Sequence, residues 1–180
     1  MGSKPVVLKP SVSAAGRMTH RIKDPTSLSS DDEAFLEDVL AENSYIGSVM
    51  IQEYEETISK GEYSLAFIGR ELTLAMIKKP ATGRFKVNES DGGRTSLVEQ
   101  PDIPACAQET GYRLWDYLDQ KFGAQGIKRS LVYLRVDGVV RDDGEFVVGE
   151  AELIEPEMFM GRYGAAGFKA FCSASFVSLE

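Results

Sequence analysis

The sequence predicts an α+β fold in which an antiparallel sheet carries helices on one side. The clearest strands are expected at 130–141 and 145–154, and the Asp143-Gly144 pair between them is a strong signal for a tight hairpin turn. A second observation is that Pro104 is followed by apolar residues at helical spacing, which predicts the longest helix, ending near Phe122. A hairpin and an amphipathic helix in one segment indicate a sheet with a helix packed on it.

The N-terminal part contains shorter elements. A buried strand is expected at 5–9, and it stops at Pro10, which cannot donate a ladder hydrogen bond. Ser30 and Glu33 have the spacing of a capping box, so a helix is expected to begin there and run to about residue 40. A further strand is expected at 47–54.

The middle of the chain predicts a second hairpin, with strands at 63–68 and 72–78 around a turn at Gly69-Arg70. A short strand is expected at 83–87, and a last helix at 165–177 closes the chain.

Composition limits the class of protein. With 43% hydrophobic and 27% charged residues, the 180-residue chain has the balance of a soluble globular protein, which we expect to be cytoplasmic. It contains no apolar run long enough to span a bilayer, so no membrane partner is expected. A formal charge of -8 without a dense Lys/Arg run argues against nucleic acid as a partner.

Cysteine and histidine chemistry is limited. Cys106 and Cys172 lie far apart and outside any paired motif, so a zinc site or disulfide framework is not expected. His20 is the single histidine, which excludes mechanisms that need two.

The last predicted hairpin concentrates acidic residues. If Asp143-Gly144 is a two-residue loop, counting along the ladder places Asp137 opposite Glu150, whereas a bulge would break this register. The same count places Arg135 opposite Glu152. Opposite residues point to one face with Cβ atoms roughly 5 Å apart, so the three acids should cluster.

Two interpretations of this cluster are open. Magnesium prefers oxygen ligands and is often held by one or two carboxylates together with substrate phosphates, so the acids are candidates for a metal site. Alternatively they form a solvated acidic face that pairs with Arg135 or nearby lysines. The hairpin alone does not decide between them.

Four segments follow one another in an order that resembles a known family. They are VVLKP at 6–10, MIQEY at 50–54, IKKPATGRFKVNESDGGR at 77–94, and RVD at 135–137 followed by GEAELIEP at 149–156. Together they resemble the C-terminal two-thirds of an ATP-grasp ligase, from about Val6 to Phe159. The pattern is most similar to that of glutathione-synthetase-like enzymes and of the cyclo-ligase of cycloserine biosynthesis.

The resemblance implies a set of nucleotide-binding residues. Lys9 matches a lysine that contacts adenine and phosphate, and Glu62 matches the acid that binds the ribose hydroxyls. The segment around MIQEY resembles the hinge between the two lobes, where backbone groups contact the adenine edge. Its members are Gln52, Glu53, Tyr54 and Glu55.

The resemblance also implies catalytic and metal-binding residues. Lys78 and Arg94 match two cations that hold the phosphate and the acyl phosphate, and Lys86 falls at a further basic position. Phosphoryl transfer spreads negative charge over the phosphate oxygens, which fixed cations and magnesium neutralise. The family's three metal ligands match Asp137, Glu150 and Glu152, the same residues that the hairpin count brings together.

The implied activity is ATP- and Mg²⁺-dependent ligation of a small-molecule carboxylate to an amine through an acyl phosphate. One alternative is a nucleotide-binding fragment or regulatory remnant that turns nothing over. Another is an unrelated α+β interaction domain with an acidic face, which would bind no nucleotide.

The resemblance further implies a division of the chain. Residues 1–52 correspond to part of the ATP-grasp lid, and residues 53–180 to the C-terminal subdomain with the nucleotide and metal site. The family has a further domain before the opening lysine. A strand edge left open where such a domain would pack favours a homodimer.

Overall fold

The computed structural model describes residues 3–11, 16–41, 48–125, 131–159 and 161. The chain divides into two units, Met1–Glu56 and Thr57–Glu180, whereas the division expected from the sequence lies between residues 52 and 53. The predicted helix at 165–177, which includes Cys172, lies outside the described residues. Among the helices that are described, none is both long and apolar enough to cross a membrane.

The first unit contains a three-stranded antiparallel sheet and one helix. Its elements are β1 (Val6–Pro10), β2 (His20–Ile22), α1 (Ser30–Ala41) and β3 (Val49–Glu53), and the strand order is β2-β1-β3. Leu8 and Ile22 on the sheet and Val39 on α1 are buried, as the apolar spacing of these segments requires. The predicted strands at 5–9 and 47–54 and the predicted helix are therefore present.

The cap of α1 differs from the predicted one by a residue. Ser29 donates from its backbone N and its Oγ to Asp32 Oδ2, at 2.9 and 2.6 Å, and the Asp32 backbone N donates back to Ser29 Oγ at 3.3 Å. The capping pair is thus Ser29 and Asp32, since Ser30 is already the first helical residue. The hydrogen bond from the Ser29 hydroxyl, followed by those from His20 and from the Ser29 backbone N, lowers the pKa of Asp32 to about 2.

The second unit is built on a five-stranded antiparallel sheet with the order β6-β5-β4-β7-β8. Its strands are β4 (Glu62–Ile68), β5 (Glu71–Lys79), β6 (Arg94–Leu97), β7 (Tyr133–Val140) and β8 (Phe146–Glu152), and its long helix is α2 (Ala105–Ala124). Short 3₁₀ helices occupy Glu56–Lys60, Glu89–Asp91 and Gln100–Asp102.

The hairpin between β4 and β5 turns at Gly69 and Arg70, whose φ angles of 57° and 69° suit a tight primed turn, as predicted. The prediction of a strand at 83–87 is wrong. That stretch is irregular, and the partner of β5 is instead β6.

Helix α2 packs on one face of the five-stranded sheet. Ala107 and Trp115 of the helix are buried with Phe67 of β4 and Leu134 of β7 in a single apolar core. This arrangement confirms the predicted α+β class, in which an antiparallel sheet carries a helix on one side. The other face of the sheet is therefore free to carry polar groups.

The last hairpin reaches the predicted register by a different route. Its loop has three residues, because Arg141 N donates to Glu145 O at 2.8 Å and Gly144 adopts a φ of 88°. With a three-residue loop, each residue of β7 faces a residue of β8 one position earlier than the two-residue loop predicted, so Val139 pairs with Val147. A β-bulge at Gly149 then adds one residue to β8 and restores the predicted register, so that Asp137 lies opposite Glu150.

Two glycines of α2 allow a test of the helix–sheet packing. A Cβ added at Gly111 would lie 2.5 Å from Phe67 Cζ, whereas one added at Gly123 would meet nothing within 4 Å. Alanine favours a helix over glycine by about 1 kcal/mol, while overpacking costs about 1–3 kcal/mol. The Phe67 ring is fully buried.

We therefore predict that Gly111→Ala lowers the free energy of unfolding by about 1 kcal/mol, and that Gly123→Ala leaves it unchanged or raises it. Urea unfolding followed by circular dichroism measures both. Equal effects of the two substitutions would contradict the close packing of α2 on β4.

Candidate functional site

A group of charged side chains lies on the sheet face opposite α2. We refer to it as the charged cluster, and its members are Glu62 on β4, Lys78 on β5, Arg135 and Asp137 on β7, and Glu150 and Glu152 on β8. Strand pairing creates it, because Glu62 is opposite Lys78 and Asp137 is opposite Glu150. Directly opposed residues point to the same face of a sheet.

Asp137 is the centre of the charged cluster. Its Oδ2 accepts hydrogen bonds from Lys78 Nζ at 2.8 Å and from an Arg135 terminal nitrogen at 3.0 Å, and its Oδ1 accepts from Arg135 Nε at 3.0 Å. The residue is only 3% exposed. Burial alone would raise the pKa of Asp137, but the charges of Lys78 and Arg135 outweigh burial and lower it. Asp137 is therefore ionised at neutral pH.

Arg135 connects this centre to its surroundings. It forms an ion pair with Glu152, and its other terminal nitrogen donates to the Glu157 carbonyl at 3.1 Å. Burial alone would lower the pKa of the Arg135 guanidinium, but the charge of the Asp137 carboxylate outweighs burial and raises it. The pKa of Glu152 is also raised, mainly because the carboxyl is partly buried.

Glu62 shows that the charged cluster has an excess of negative charge. Burial, followed by the charge of Asp137, raises the pKa of Glu62 to about 7, although Lys78 Nζ lies 3.6 Å away. Four carboxyl groups face two cationic side chains, which leaves a net charge of -2 when all are ionised. A divalent cation would neutralise this excess.

The donor set fits magnesium. Asp137, Glu150 and Glu152 each offer a carboxylate oxygen, and these oxygens lie within 4.8 Å of one another. Hard oxygen donors of this kind are those that Mg²⁺ takes in proteins. A second feature points the same way: Ser64 Oγ is buried without a hydrogen-bond partner among the described residues, and Ser64 lies directly opposite Asp137.

The alternative of a solvated acidic face describes only part of this arrangement. Glu150 is exposed, but Asp137 and Arg135 are buried, and both cations on this face are already bound to the Asp137 carboxylate.

Two other predicted cations lie on the second unit, on β6 and in the stretch before it. Arg94 is exposed on β6 and pairs in register with Lys79, whereas Lys78 pairs with Thr95. Arg94 and Lys78 therefore occupy alternate faces of the sheet edge. Lys86 is half-buried in the irregular stretch between β5 and β6.

The nucleotide-binding residues predicted on the first unit lie on its sheet or directly after it. Lys9 pairs with Met50 and Gln52 pairs with Val7, so that Lys9 and Gln52 share one face of the three-stranded sheet.

The remaining residues of the predicted hinge follow at the end of β3. Glu53 forms an exposed ion pair with Lys4, and the Arg21 guanidinium lies 4.7 Å from the centre of the Tyr54 ring. Glu55 comes directly after Tyr54 and is half-buried.

Sequence reasoning placed Arg135 opposite Glu152 but gave it no part in binding phosphate, and it missed Ser64 and Phe159. The spacing of Arg135 and Asp137 on one strand was a usable signal, since residues two apart share a face. The Phe159 ring lies 5.8 Å from Lys78 Nζ and 5.9 Å from the Arg135 guanidinium carbon, within cation–π range of both. Its φ of 54° is a left-handed conformation that no sequence pattern indicates.

A scan of protein-family models and a search of curated proteins found no match to this chain. Solved structures do match. D-cycloserine synthetase DcsG superposes with a TM-score of 0.74 at 21% identity, over 98% of this chain and 56% of that protein. D-alanine–D-alanine ligase from Bacillus anthracis, solved with ATP, gives 0.59 at 18% identity over 97% of this chain and 52% of the ligase.

A third match is the ATP-grasp ligase PsnB, solved with Mg, ADP and a variant of its minimal precursor. It gives a TM-score of 0.56 at 18% identity over 95% of this chain and 47% of that protein. The chain therefore has the ATP-grasp fold, as the sequence predicted, and spans about half the length of these proteins.

The raised pKa of Glu62 predicts a dependence of stability on pH. Between about pH 4.5 and pH 7 the folded protein holds a proton on Glu62 that the unfolded chain has released, so stability in a chelator should fall as pH rises. Glu62→Gln removes this titration and should flatten the curve over that window.

Thermal midpoints measured from pH 4.5 to pH 8 test this expectation, with the exposed acid of β5 substituted as Glu71→Gln for a control. Parallel curves of thermal midpoint against pH for the wild type and Glu62→Gln would show that titration of Glu62 does not cause the pH dependence.

Proposed function

We propose that this chain provides the nucleotide and metal site of an ATP- and Mg²⁺-dependent ligase that joins a carboxylate to an amine through an acyl phosphate. The observation that carries this proposal is the charged cluster, in which three carboxylates lie beside two buried cations on an ATP-grasp fold. Carboxylates for a metal and cations for phosphate are the two requirements of phosphoryl transfer.

Lys78 and Arg135 are the cations that would bind the transferred phosphate. Both are held close to the metal-ligating carboxylates, since each donates a hydrogen bond to Asp137. The planar Arg135 guanidinium is suited to two parallel hydrogen bonds with phosphate oxygens, whereas Lys78 acts as a point charge. Both cations lie beside the proposed metal ligands before phosphate binds, and they would exchange their hydrogen bonds to Asp137 for hydrogen bonds to phosphate oxygens.

Asp137, Glu150 and Glu152 would hold the magnesium. When bound, the ion would neutralise the charge of the ATP phosphates and polarise the γ-phosphoryl group for transfer. The chain's carboxylates orient it, and Arg135 in turn orients Glu152 through their ion pair.

The reaction would need no covalent enzyme intermediate. A substrate carboxylate oxygen attacks the γ-phosphorus of ATP and ADP leaves, which gives an acyl phosphate. An amine then attacks the acyl carbon and phosphate leaves, while the amine loses a proton. The charged cluster serves the first transfer, and Arg94 and Lys86 are proposed as further cations for the acyl phosphate on the basis of the sequence resemblance.

The nucleotide contacts of the proposal rest on the same resemblance. Lys9 is proposed to contact adenine and phosphate, Glu62 the ribose hydroxyls, and the hinge the adenine edge through Gln52, Glu53, Tyr54 and Glu55. A nucleotide-binding module without ligase activity would share these contacts and the metal site. Turnover therefore separates the two functions.

Glu150→Gln offers a clean test of the metal site, because Glu150 is exposed and forms no ion pair among the described residues. A ligand at a hundredfold excess over its dissociation constant stabilises the folded protein by about 2.7 kcal/mol. We expect Mg-ATP to raise the thermal midpoint of the wild type, and Glu150→Gln to weaken Mg-ATP binding at least about tenfold.

The control is Glu145→Gln, an exposed acid of the same hairpin that pairs with Arg141. The metal assignment is wrong if Glu150→Gln and Glu145→Gln respond to Mg-ATP alike.

Arg135→Lys tests the phosphate role. It keeps the charge but loses the paired hydrogen bonds, so phosphate release from Mg-ATP in the presence of carboxylate and amine candidates should fall about a hundredfold. Arg70→Lys is the matched control, since Arg70 makes a paired contact with Asp116 on the surface. Phosphate release unaffected by Arg135→Lys would exclude this role, and a wild type that binds Mg-ATP without turnover would favour the non-catalytic module.

A further inference from the structure

The Ser64 hydroxyl is a buried polar group without a hydrogen-bond partner among the residues that the structure describes. Ser64 is 0% exposed, and its Oγ has no hydrogen-bond partner in the described part of the chain. Leaving a buried hydroxyl without a hydrogen bond costs about 1–3 kcal/mol. Alanine would fill the same space without this cost. A partner that forms in another state of the protein explains why a hydroxyl is present here.

Strand pairing identifies the candidate partner. Ser64 lies opposite Met76 on β5 and opposite Asp137 on β7. The Met76 side chain offers only a weak sulfur acceptor, whereas Asp137 carries a full negative charge. Opposed residues have Cβ atoms about 5 Å apart on one face, a separation across which a seryl Oγ and a carboxylate oxygen meet.

In this structure, the Asp137 carboxylate is satisfied without a hydrogen bond from Ser64. Both of its oxygens accept hydrogen bonds from cations, with two from Arg135 and one from Lys78. The same two cations are those that the proposed function assigns to phosphate. When they turn to phosphate oxygens, Asp137 loses donors while it must stay fixed as a metal ligand.

We propose that Ser64 is a positioning residue of the metal site, whose hydroxyl donates a hydrogen bond to the Asp137 carboxylate when magnesium and nucleotide are bound. One carboxylate oxygen then faces the metal and the other is held by Ser64. This role rests on the proposed function, because it requires that Lys78 and Arg135 leave Asp137 for phosphate. Ser64 would therefore affect metal binding in the protein that holds magnesium and nucleotide, and would not stabilise the free protein.

Ser64→Ala separates this role from a merely structural one. In the absence of metal the variant should be as stable as the wild type or more so, because an unsatisfied hydroxyl is removed. At a fixed, saturating concentration of ADP, the Mg²⁺ concentration that gives half of the thermal shift should rise about tenfold, the usual effect of removing a hydrogen bond to a charged group. The shift caused by ADP in a chelator should not change.

Two further variants complete the experiment. Thr57→Val removes the other buried hydroxyl without a partner among the described residues, which no strand pairing places beside the charged cluster, and it should leave the Mg²⁺ response unchanged. Ser64→Cys keeps the side-chain size and a weak donor, so its loss of apparent Mg²⁺ affinity should be smaller than that of Ser64→Ala.

The outcomes are distinct. A tenfold loss of apparent Mg²⁺ affinity in Ser64→Ala, with metal-free stability retained, supports the positioning role. An unchanged Mg²⁺ response overturns it, and so does a metal-free stability below that of the wild type or a failure to fold, because the hydroxyl would then act in the free protein. If the wild type itself shows no Mg²⁺-dependent response to nucleotide, the proposed function fails and this role fails with it.

Discussion

The five-stranded sheet must bury an apolar face under α2 and hold charges on the other face, and β8 supplies side chains to both. Under strict alternation, Phe146, Val148 and Glu150 would all point to one face. The extra residue at Gly149 prevents this, so that Phe146 and Val148 join the core while Glu150 lies opposite Asp137. Both the packing of the sheet and the gathering of the acids therefore depend on one bulge.

Gly138 on the neighbouring strand belongs to the same irregularity. A Cβ at this position would lie 2.5 Å from the Val147 carbonyl oxygen, so a side chain would push β7 away from β8 where the register shifts. The close approach keeps the buried Asp137 in line with its neighbours on β4 and β8. A glycine next to a buried carboxylate is thus explained by backbone packing.

The electrostatics of the cluster follow from this geometry. A buried carboxylate between two cations is strongly bound, and removal of one partner would leave an unpaired buried charge. Glu152 shares Arg135 with Asp137 and Glu62 shares Lys78 with it, and burial, followed by the charge of Asp137, raises the pKa of Glu62 to about 7. Below about pH 7 the protein therefore reduces its charge excess by holding a proton on Glu62.

The sequence predicted six of the eight described strands, the long helix and the facing acids, but it missed β2 and β6. Part of this success came from two errors that cancel. A two-residue loop was expected where three residues form the turn, and the bulge at Gly149 restored the count. Alternation of hydrophobic residues identifies strands, yet it does not locate a bulge, because a glycine fits either face. The cap of α1 was misplaced for a related reason, since Ser29 and Ser30 are chemically equivalent and only the backbone decides which one precedes the helix.

Some features of the site were beyond sequence reasoning because each is unfavourable in isolation. Three features cost free energy: the Ser64 hydroxyl, which has no partner in the described part of the chain, the raised pKa of the Glu62 carboxyl, and the left-handed backbone at Phe159. Simple substitutions would relieve the first two, so stability alone does not account for them. Local rules are broken in natural proteins chiefly where function requires it. The three exceptions meet on the one sheet face that also carries the candidate metal ligands, and their coincidence points to a site shaped for a bound state.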